Sequence, residues 1–381
     1  MANSSYDMLY LVNCGIHKVV PDKEKLKDLD LNELYRTSRK HLLEALVGMT
    51  LKNAGVDLPK VWVDAISKAV RKNILFDAER SQIFAFMEKE GIWYMPLKGV
   101  IFKEYYPAVG MRQMSDNDIL FDVSFAEDLR DYMVSRGYEI EEFGTDVHDA
   151  YHKKPVYNFE MHRALYHEMI NEDWVRYYQN VKERLIKDEG NDFGYHFSDE
   201  DFYIYILTHE YKHYTINGTG LRSLLDVYVY LNAKEDSLDM SYIERECEKL
   251  GIAEFEKQGR ELCKKVFSKE LVQRNLTEEE KNMLDYYLTS GVYGFMERRM
   301  ENRFGKFKEE TGSTSKLRYA FKRIFPDMDT YRVFYPFFYK HKWLLPVGWA
   351  YRLVRWIFVP ERRTQIKAEM KVMKKIDLKE E

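Results

Sequence analysis

The chain has 381 residues, 45% of them hydrophobic and 32% charged, and a formal net charge of −4, the balance of a folded globular protein rather than a disordered one. Its three cysteines, Cys14, Cys247 and Cys263, form no C-x-x-C pair, which argues against a disulfide framework and a cysteine-based zinc site. No uninterrupted apolar run reaches the roughly 18 residues of a spanning helix.

The N-terminus lacks the basic start and unbroken apolar core of a signal peptide, so the expected location is the cytoplasm, where lone cysteines stay reduced. Residues 24–90 read as helices. Leu31, Leu34 and Tyr35, then Leu42, Leu43, Leu46 and Val47, fall at three- and four-residue intervals, and Pro59 marks a break. Ile92 to Leu97 reads as a short strand ending at Lys98-Gly99, followed by a helix from Val100 to Tyr106 that Pro107 stops. Asp118 to Val123 is a second strand whose apolar centre suits burial on both faces. Phe125 to Arg136 reads as a helix closed by Gly137. Runs at 146–152 and 156–163 flank Lys154-Pro155 as a hairpin. Beyond residue 166 the pattern is helical again, at 199–214, 220–234, 240–267, 277–296 and 316–324. The expected fold class is α+β, a small sheet domain embedded between helical regions.

The segment that carries chemistry is Leu97-Lys98-Gly99, then Tyr106-Pro107, Arg112 and Ser115-Asp116-Asn117-Asp118-Ile119-Leu120. Alternation along a strand aims Asp116 and Asp118 the same way and Asn117 the other. Two carboxylates held side by side repel unless a cation sits between them, and a hard ion such as Mg²⁺ suits an all-oxygen site that leaves positions for phosphates. An acidic pair alone is weak evidence. Its placement after strand, glycine turn and helix gives it weight.

The run L-K-G…Y-P…R-x-x-S-D-x-D-I-L-F resembles the signature of the uncharacterised nucleotidyltransferase family of the DNA polymerase β-like superfamily. The resemblance is clear over about residues 90–165 and weaker to about 230. It implies Mg²⁺ or Mn²⁺ on Asp116, Asp118 and a third carboxylate from a neighbouring strand, with an NTP such as ATP as substrate. Glu160, in Asn158-Phe159-Glu160-Met161-His162, fits the third place, as metal ligand and acceptor of the substrate hydroxyl's proton. On the nucleotide side stand Lys98, Gly99, Arg112, Ser115 and His162, with Arg112 suited to a bidentate phosphate contact. Lys-Gly replaces the Gly-Ser or Gly-Gly of most superfamily turns, and the gap from Gly99 to Asp116 is long.

His209-Glu210-Tyr211-Lys212-His213 is a literal H-E-x-x-H, the zinc-peptidase pattern, yet Lys212 puts a cation beside the would-be metal. The resemblance offers another account, in which His209, His213, Arg222 and Asp226 line the cleft opposite the metal. At i,i+4, Arg222 and Asp226 can also simply pair along a helix. Residues 316–381 hold 16 Lys and Arg against 7 Asp and Glu, a local +9 that leaves −13 on residues 1–315. Within it WLLPVGWAYRLVRWIFVP (343–360) interleaves aromatics with Arg352 and Arg355, a pattern for core packing, a partner-docking surface or peripheral contact with an anionic surface.

The expected organisation is an N-terminal helical region (1–90), a catalytic α/β module (91–165), a helical domain closing the cleft (166–315) and a basic aromatic tail (316–381). The expected reaction moves an NMP from an NTP to a hydroxyl or phosphate acceptor (a small molecule, sugar, tRNA or protein), releasing pyrophosphate. The alternatives are a non-catalytic nucleotide- or partner-binding module on the same fold, and the zinc peptidase.

Overall fold

The computed structural model describes residues 3–167, 170–234, 237–269, 275–291 and 296–358. One compact unit holds residues 3–212 and 220–291, and a second holds 213–219 and 296–358.

The first unit opens with α1 (Asn3–Ile16), the single turn α2 (Lys23–Leu26), α3 (Leu31–Lys40), α4 (Glu44–Asn53) and the long α5 (Lys60–Glu90). Asp22 and Asp30 cap α2 and α3 by accepting backbone N–H bonds. Pro59, which can give up its N–H without cost there, immediately precedes α5. Gly91, with φ +74°, ends it. The chain then forms β1 (Tyr94–Pro96), α6 (Gly99–Phe102), β2 (Asn117–Phe121), α7 (Ala126–Ser135), β3 (Glu139–Glu142), β4 (His148–Lys153) and β5 (Tyr157–His162). The sheet order is β1-β2-β5-β4-β3, with β2 and β5 parallel and the other pairs antiparallel.

This sheet has one oily face and one polar face. Tyr94, Ile119, Phe121, Tyr151, Phe159 and Met161 meet Ile83 and Met87 of α5 and Leu129 and Met133 of α7 in one buried cluster. Period-2 alternation then sends Asp118, Glu160, His162, His148, Ala150 and His152 to the opposite face. Asn117 obeys the same rule: it points to the core side, where its Oδ1 accepts a bond of 2.9 Å from Arg80 of α5.

The unit continues with α8 (Glu172–Tyr178), a small hairpin of β6 (Ile186–Lys187) and β7 (Tyr195–His196), α9 (Asp199–Ile216), α10 (Leu221–Lys234), α11 (Met240–Lys249), α12 (Ala253–Val266) and α13 (Glu278–Ser290). The helix expected over 240–267 is two helices, because Gly251 takes φ +68° and the Gly251 and Ile252 amides cap the carbonyls of Glu248 and Cys247. Strand β3, helices α1 and α8 and the β6-β7 hairpin are additions to the elements read from sequence. The expected helix over 277–296 ends at Ser290, and residues 292–295 lie outside the described set.

The second unit contains α14 (Met296–Thr311), α15 (Lys316–Ile324), α16 (Met328–Phe334), α17 (Pro336–Lys340) and α18 (Leu345–Phe358). Met300, Phe304, Phe307 and Tyr319 form its buried cluster. The tail beyond 358, with 7 of the 16 Lys and Arg, and the side chain of Arg355 lie outside the described residues. Among the described residues no helix is long and apolar enough to cross a membrane.

Candidate active site

The polar face of the sheet collects the carboxylates. Parallel register places Asp118 of β2 directly beside Glu160 of β5, and Leu120 beside His162. Asp118, Glu160 and His162 each offer a ligand atom within 4.8 Å of the others, and among the described residues this is the only such group of three metal-ligating side chains. His162 Nε2 lies 2.9 Å from Asp118 Oδ1 and 3.8 Å from Glu160 Oε2. Its Nδ1 is buried without a hydrogen-bond partner.

Lys98 reaches the carboxylates from the glycine turn. Its Nζ donates to Asp118 Oδ1 at 2.7 Å. The residue holds φ +47° and ψ −111°, backbone angles that favour glycine, so the turn keeps a side chain there against a conformational cost of order 1–3 kcal/mol. Gly99 follows for a spatial reason. A Cβ on it would stand 2.6 Å from Arg112 Nη1 and 3.1 Å from Met114 Cε.

Asp116 sits one residue before β2, on a loop pinned by helices. Lys72 of α5 donates to the Ser115 carbonyl at 2.8 Å, Asn73 to the Arg112 carbonyl at 3.3 Å, and Arg222 of α10 to the Gln113 carbonyl at 2.9 Å. Gly110, at φ +90°, lies so close to the Val70 backbone that a Cβ would come within 2.9 Å of Val70 N.

The charges explain one another. Burial would raise the Asp118 carboxyl, but Lys98 and the His162 hydrogen bond outweigh it and hold the group well below the usual carboxylate range. Burial and the two neighbouring aspartates push Glu160 up to about 8. Burial and Asp118 push Asp116 up to about 6. Burial lowers His162 to about 4, so the imidazole is neutral and suited to ligation. Three carboxylates therefore share too little positive charge to ionise together, and a divalent cation would supply what is missing. The donor set of two or three carboxylate oxygens and one neutral imidazole fits such an ion.

Arg112, expected against phosphate, is committed elsewhere. Its Nε and Nη2 donate to Asp226 Oδ1 and Oδ2 at 2.9 and 2.8 Å, and Tyr106 Oη donates to the same Oδ1 at 2.7 Å. Asp226 thus pairs with Arg112 rather than along its own helix with Arg222. Lys98, Arg222, Arg112 and Lys72 all act electrostatically on Asp116, and burial chiefly holds Arg222 and Lys72 below their usual basicity.

On α9, Glu210 points into the core and accepts a hydrogen bond of 2.6 Å from Tyr287. It is not placed as a solvent-facing base of an H-E-x-x-H site. His209 lies on the same helix with its ring 6.3 Å from that of Tyr205, and His213 falls in the second unit by compactness. Lys212, read from sequence as an objection to zinc, interacts electrostatically with Lys98, Asp118 and Glu160, and burial lowers it to about 8. Neither Lys72 nor Lys212 was singled out as a site residue from sequence. Nothing in their helical surroundings marks them.

Residues 27–268 match the family model described as uncharacterised nucleotidyltransferase. No curated protein and no solved structure matches the chain.

Proposed function

Because the chain belongs to the uncharacterised nucleotidyltransferase family, we propose that it transfers an NMP from an NTP, with Mg²⁺ or Mn²⁺, to a hydroxyl or phosphate acceptor. The observation that carries this reading is the register of Asp118 beside Glu160 on parallel strands, with Asp116 two residues upstream and Lys98 reaching in from the turn. Asp116, Asp118 and Glu160 would hold the metal, with His162 beside them. When bound, the ion supplies charge neutralisation and Lewis acidity at the transferring phosphoryl group.

The chain's own side chains do the rest. Lys98, Lys72 and Arg222 set positive charge on the side of the glycine turn and the 112–117 loop, where a triphosphate would lie. Gly99 lets the turn pack directly against Arg112 and Met114, where a Cβ would collide. Glu160, on the strand beside Asp118 and on the side of the polar face away from the glycine turn, is the group suited to take the acceptor's proton. Arg112, Tyr106 and Asp226 fix the loop before Asp116 rather than touching substrate.

The test is calorimetry with each of the four NTPs in the presence of Mg²⁺. Wild type binds one or more, and Asp116→Ala/Asp118→Ala binds none. Unchanged binding by a folded double variant contradicts the proposal. Nucleotide binding without pyrophosphate release for any acceptor would favour a non-catalytic module.

The second unit supports a peripheral role. Phe337, Trp343, Val347, Val354 and Phe358 are each more than half exposed, and Lys340 and Lys342 are exposed between them. Aromatic and basic side chains on one short helical stretch suit an anionic membrane surface reached from a cytoplasmic location. Sedimentation with anionic and neutral vesicles tests this: binding to the anionic ones alone is expected, and binding to neither contradicts it.

A further inference from the structure

The polar face of the sheet continues past Glu160. A cavity of about 520 Å³ opens there, over β4 and β3 and away from the glycine turn. Its floor follows from register. Ala150 lies directly opposite Glu160, and its single methyl leaves room where a larger residue would fill the space. His148 and His152 flank Ala150 on the same strand and face, opposite His162 and Asn158. The wall is Glu141 and Glu142, brought to this side by a shift of register in the edge strand β3. Glu141 pairs with His152, and Glu142 accepts from the Thr145 hydroxyl.

Charge divides sharply across Glu160. Toward the turn and the 112–117 loop stand Lys72, Lys98 and Arg222. The cavity is lined by three carboxylates and two imidazoles, with no lysine or arginine in its lining. One cation, Lys212 of α9, faces Asp118, Glu160 and Asp146 from outside that lining. Two further atoms call for a partner. The Asn158 amide oxygen, in the cavity lining, is buried without a hydrogen bond, as is Nδ1 of His162, whose ring stands 5.4 Å from that of His148.

We propose that this cavity is the acceptor subsite, and that the acceptor is a small polyhydroxylated compound carrying an ammonium group rather than a phosphorylated or nucleic-acid acceptor. This rests on the nucleotidyl-transfer reading above. The volume suits a molecule of one or two sugar rings. An ammonium ion gains from Glu141 and Glu142, whereas a phosphate would be repelled by them and by Glu160. Hydroxyls find His148, His152 and the Asn158 amide. In the transfer, the acceptor oxygen next to Glu160 forms a bond to the α-phosphorus of the NTP. The bond from that phosphorus to its bridging oxygen breaks, pyrophosphate leaves with the electron pair, and the hydroxyl proton passes to Glu160.

The experiment compares glucosamine, glucose and glucose 6-phosphate, one scaffold at three charges, by saturation-transfer NMR on the full chain with Mg²⁺ present. Wild type, Glu141→Gln/Glu142→Gln and Ala150→Phe are measured in parallel. The expected result is a glucosamine signal stronger than that of either other sugar. It falls about tenfold in the glutamine variant, the worth of one charge-assisted contact, and is absent in Ala150→Phe. No glucosamine signal, an equal or stronger signal from glucose 6-phosphate, or a signal indifferent to the glutamine variant overturns the proposal. Magnesium-dependent NTP binding by the same samples separates the two levels. If it persists while glucosamine fails, only the acceptor assignment falls. If wild type binds no NTP, the nucleotidyl reading falls with it.

Discussion

Arg112 and Asp226, 114 residues apart, meet through two parallel hydrogen bonds of 2.9 and 2.8 Å, both side chains buried. This clamp joins the loop that carries Asp116 to helix α10. Tyr106 adds a third bond to the same carboxylate. An arginine held in this way positions the acidic loop and has few donors left for a nucleotide.

Breaking the clamp by one partner strands a buried charge. Asp226→Asn should destabilise the protein by about 3 kcal/mol or more, whereas replacing both Arg112 and Asp226 with apolar residues should recover part of that loss. Urea unfolding of the single and double variants checks this. A change under ~0.5 kcal/mol for Asp226→Asn would contradict the buried pairing.

Lys98 sets a cation against a strained backbone. Lys98→Gly relieves φ +47° and Lys98→Ala does not, so the glycine variant should be the more stable by about 1 kcal/mol. Both lose the contact to Asp118 and should bind nucleotide more weakly than wild type. Equal stability of the two would show that the turn carries no strain.

Glu160 gives a pH dependence of known sign. Its folded value, about 8, lies above its ordinary 4.5, so its contribution favours the folded state at low pH and is lost as pH rises through about 8. With metal chelated, Glu160→Gln should therefore become more stable than wild type above pH 8, by ~1–2 kcal/mol. Added Mg²⁺ should stabilise wild type most strongly in that same range. Thermal melts from pH 6 to 9, with and without Mg²⁺, measure both. A metal-free difference independent of pH would contradict the assignment.

Glu210 provides a control away from the carboxylates. Burial pushes it up to about 7, partly offset by the Tyr287 hydrogen bond. Its stabilising contribution is thus lost as pH rises through about 7, and Glu210→Gln should relieve that loss while leaving magnesium-dependent nucleotide binding intact. Nucleotide binding abolished in a folded Glu210→Gln protein would give this residue a role that its inward orientation does not support.

Much of the sheet module was legible because local rules agree with tertiary ones. The apolar centre of Ile119-Leu120-Phe121 announced a doubly covered strand, and the i,i+2 spacing of Asp116 and Asp118 is that of two side chains on one face. Strand β3 escaped because Glu139-Ile140-Glu141-Glu142 is an exposed edge, where charge rather than alternation is the rule. The break at Gly251 was hidden by helical periodicity on both sides. Lys72 lay in a helix read as free of chemistry, although the family match begins at residue 27 and includes it. Arg112 was misjudged in partner because sequence offers Asp226 a neighbour at i−4, Arg222, and shows nothing of the closer one reached by folding.

On the proposed reading, Asp118 and Glu160 together hold a divalent cation. Titration of Mn²⁺ followed by electron paramagnetic resonance, on wild type, Asp118→Asn and Glu160→Gln, measures it without any assumption about nucleotide or acceptor. Wild type should bind Mn²⁺, Mg²⁺ should displace it, and each variant should bind it about tenfold or more weakly. Wild-type affinity retained in a folded Asp118→Asn protein would contradict that reading.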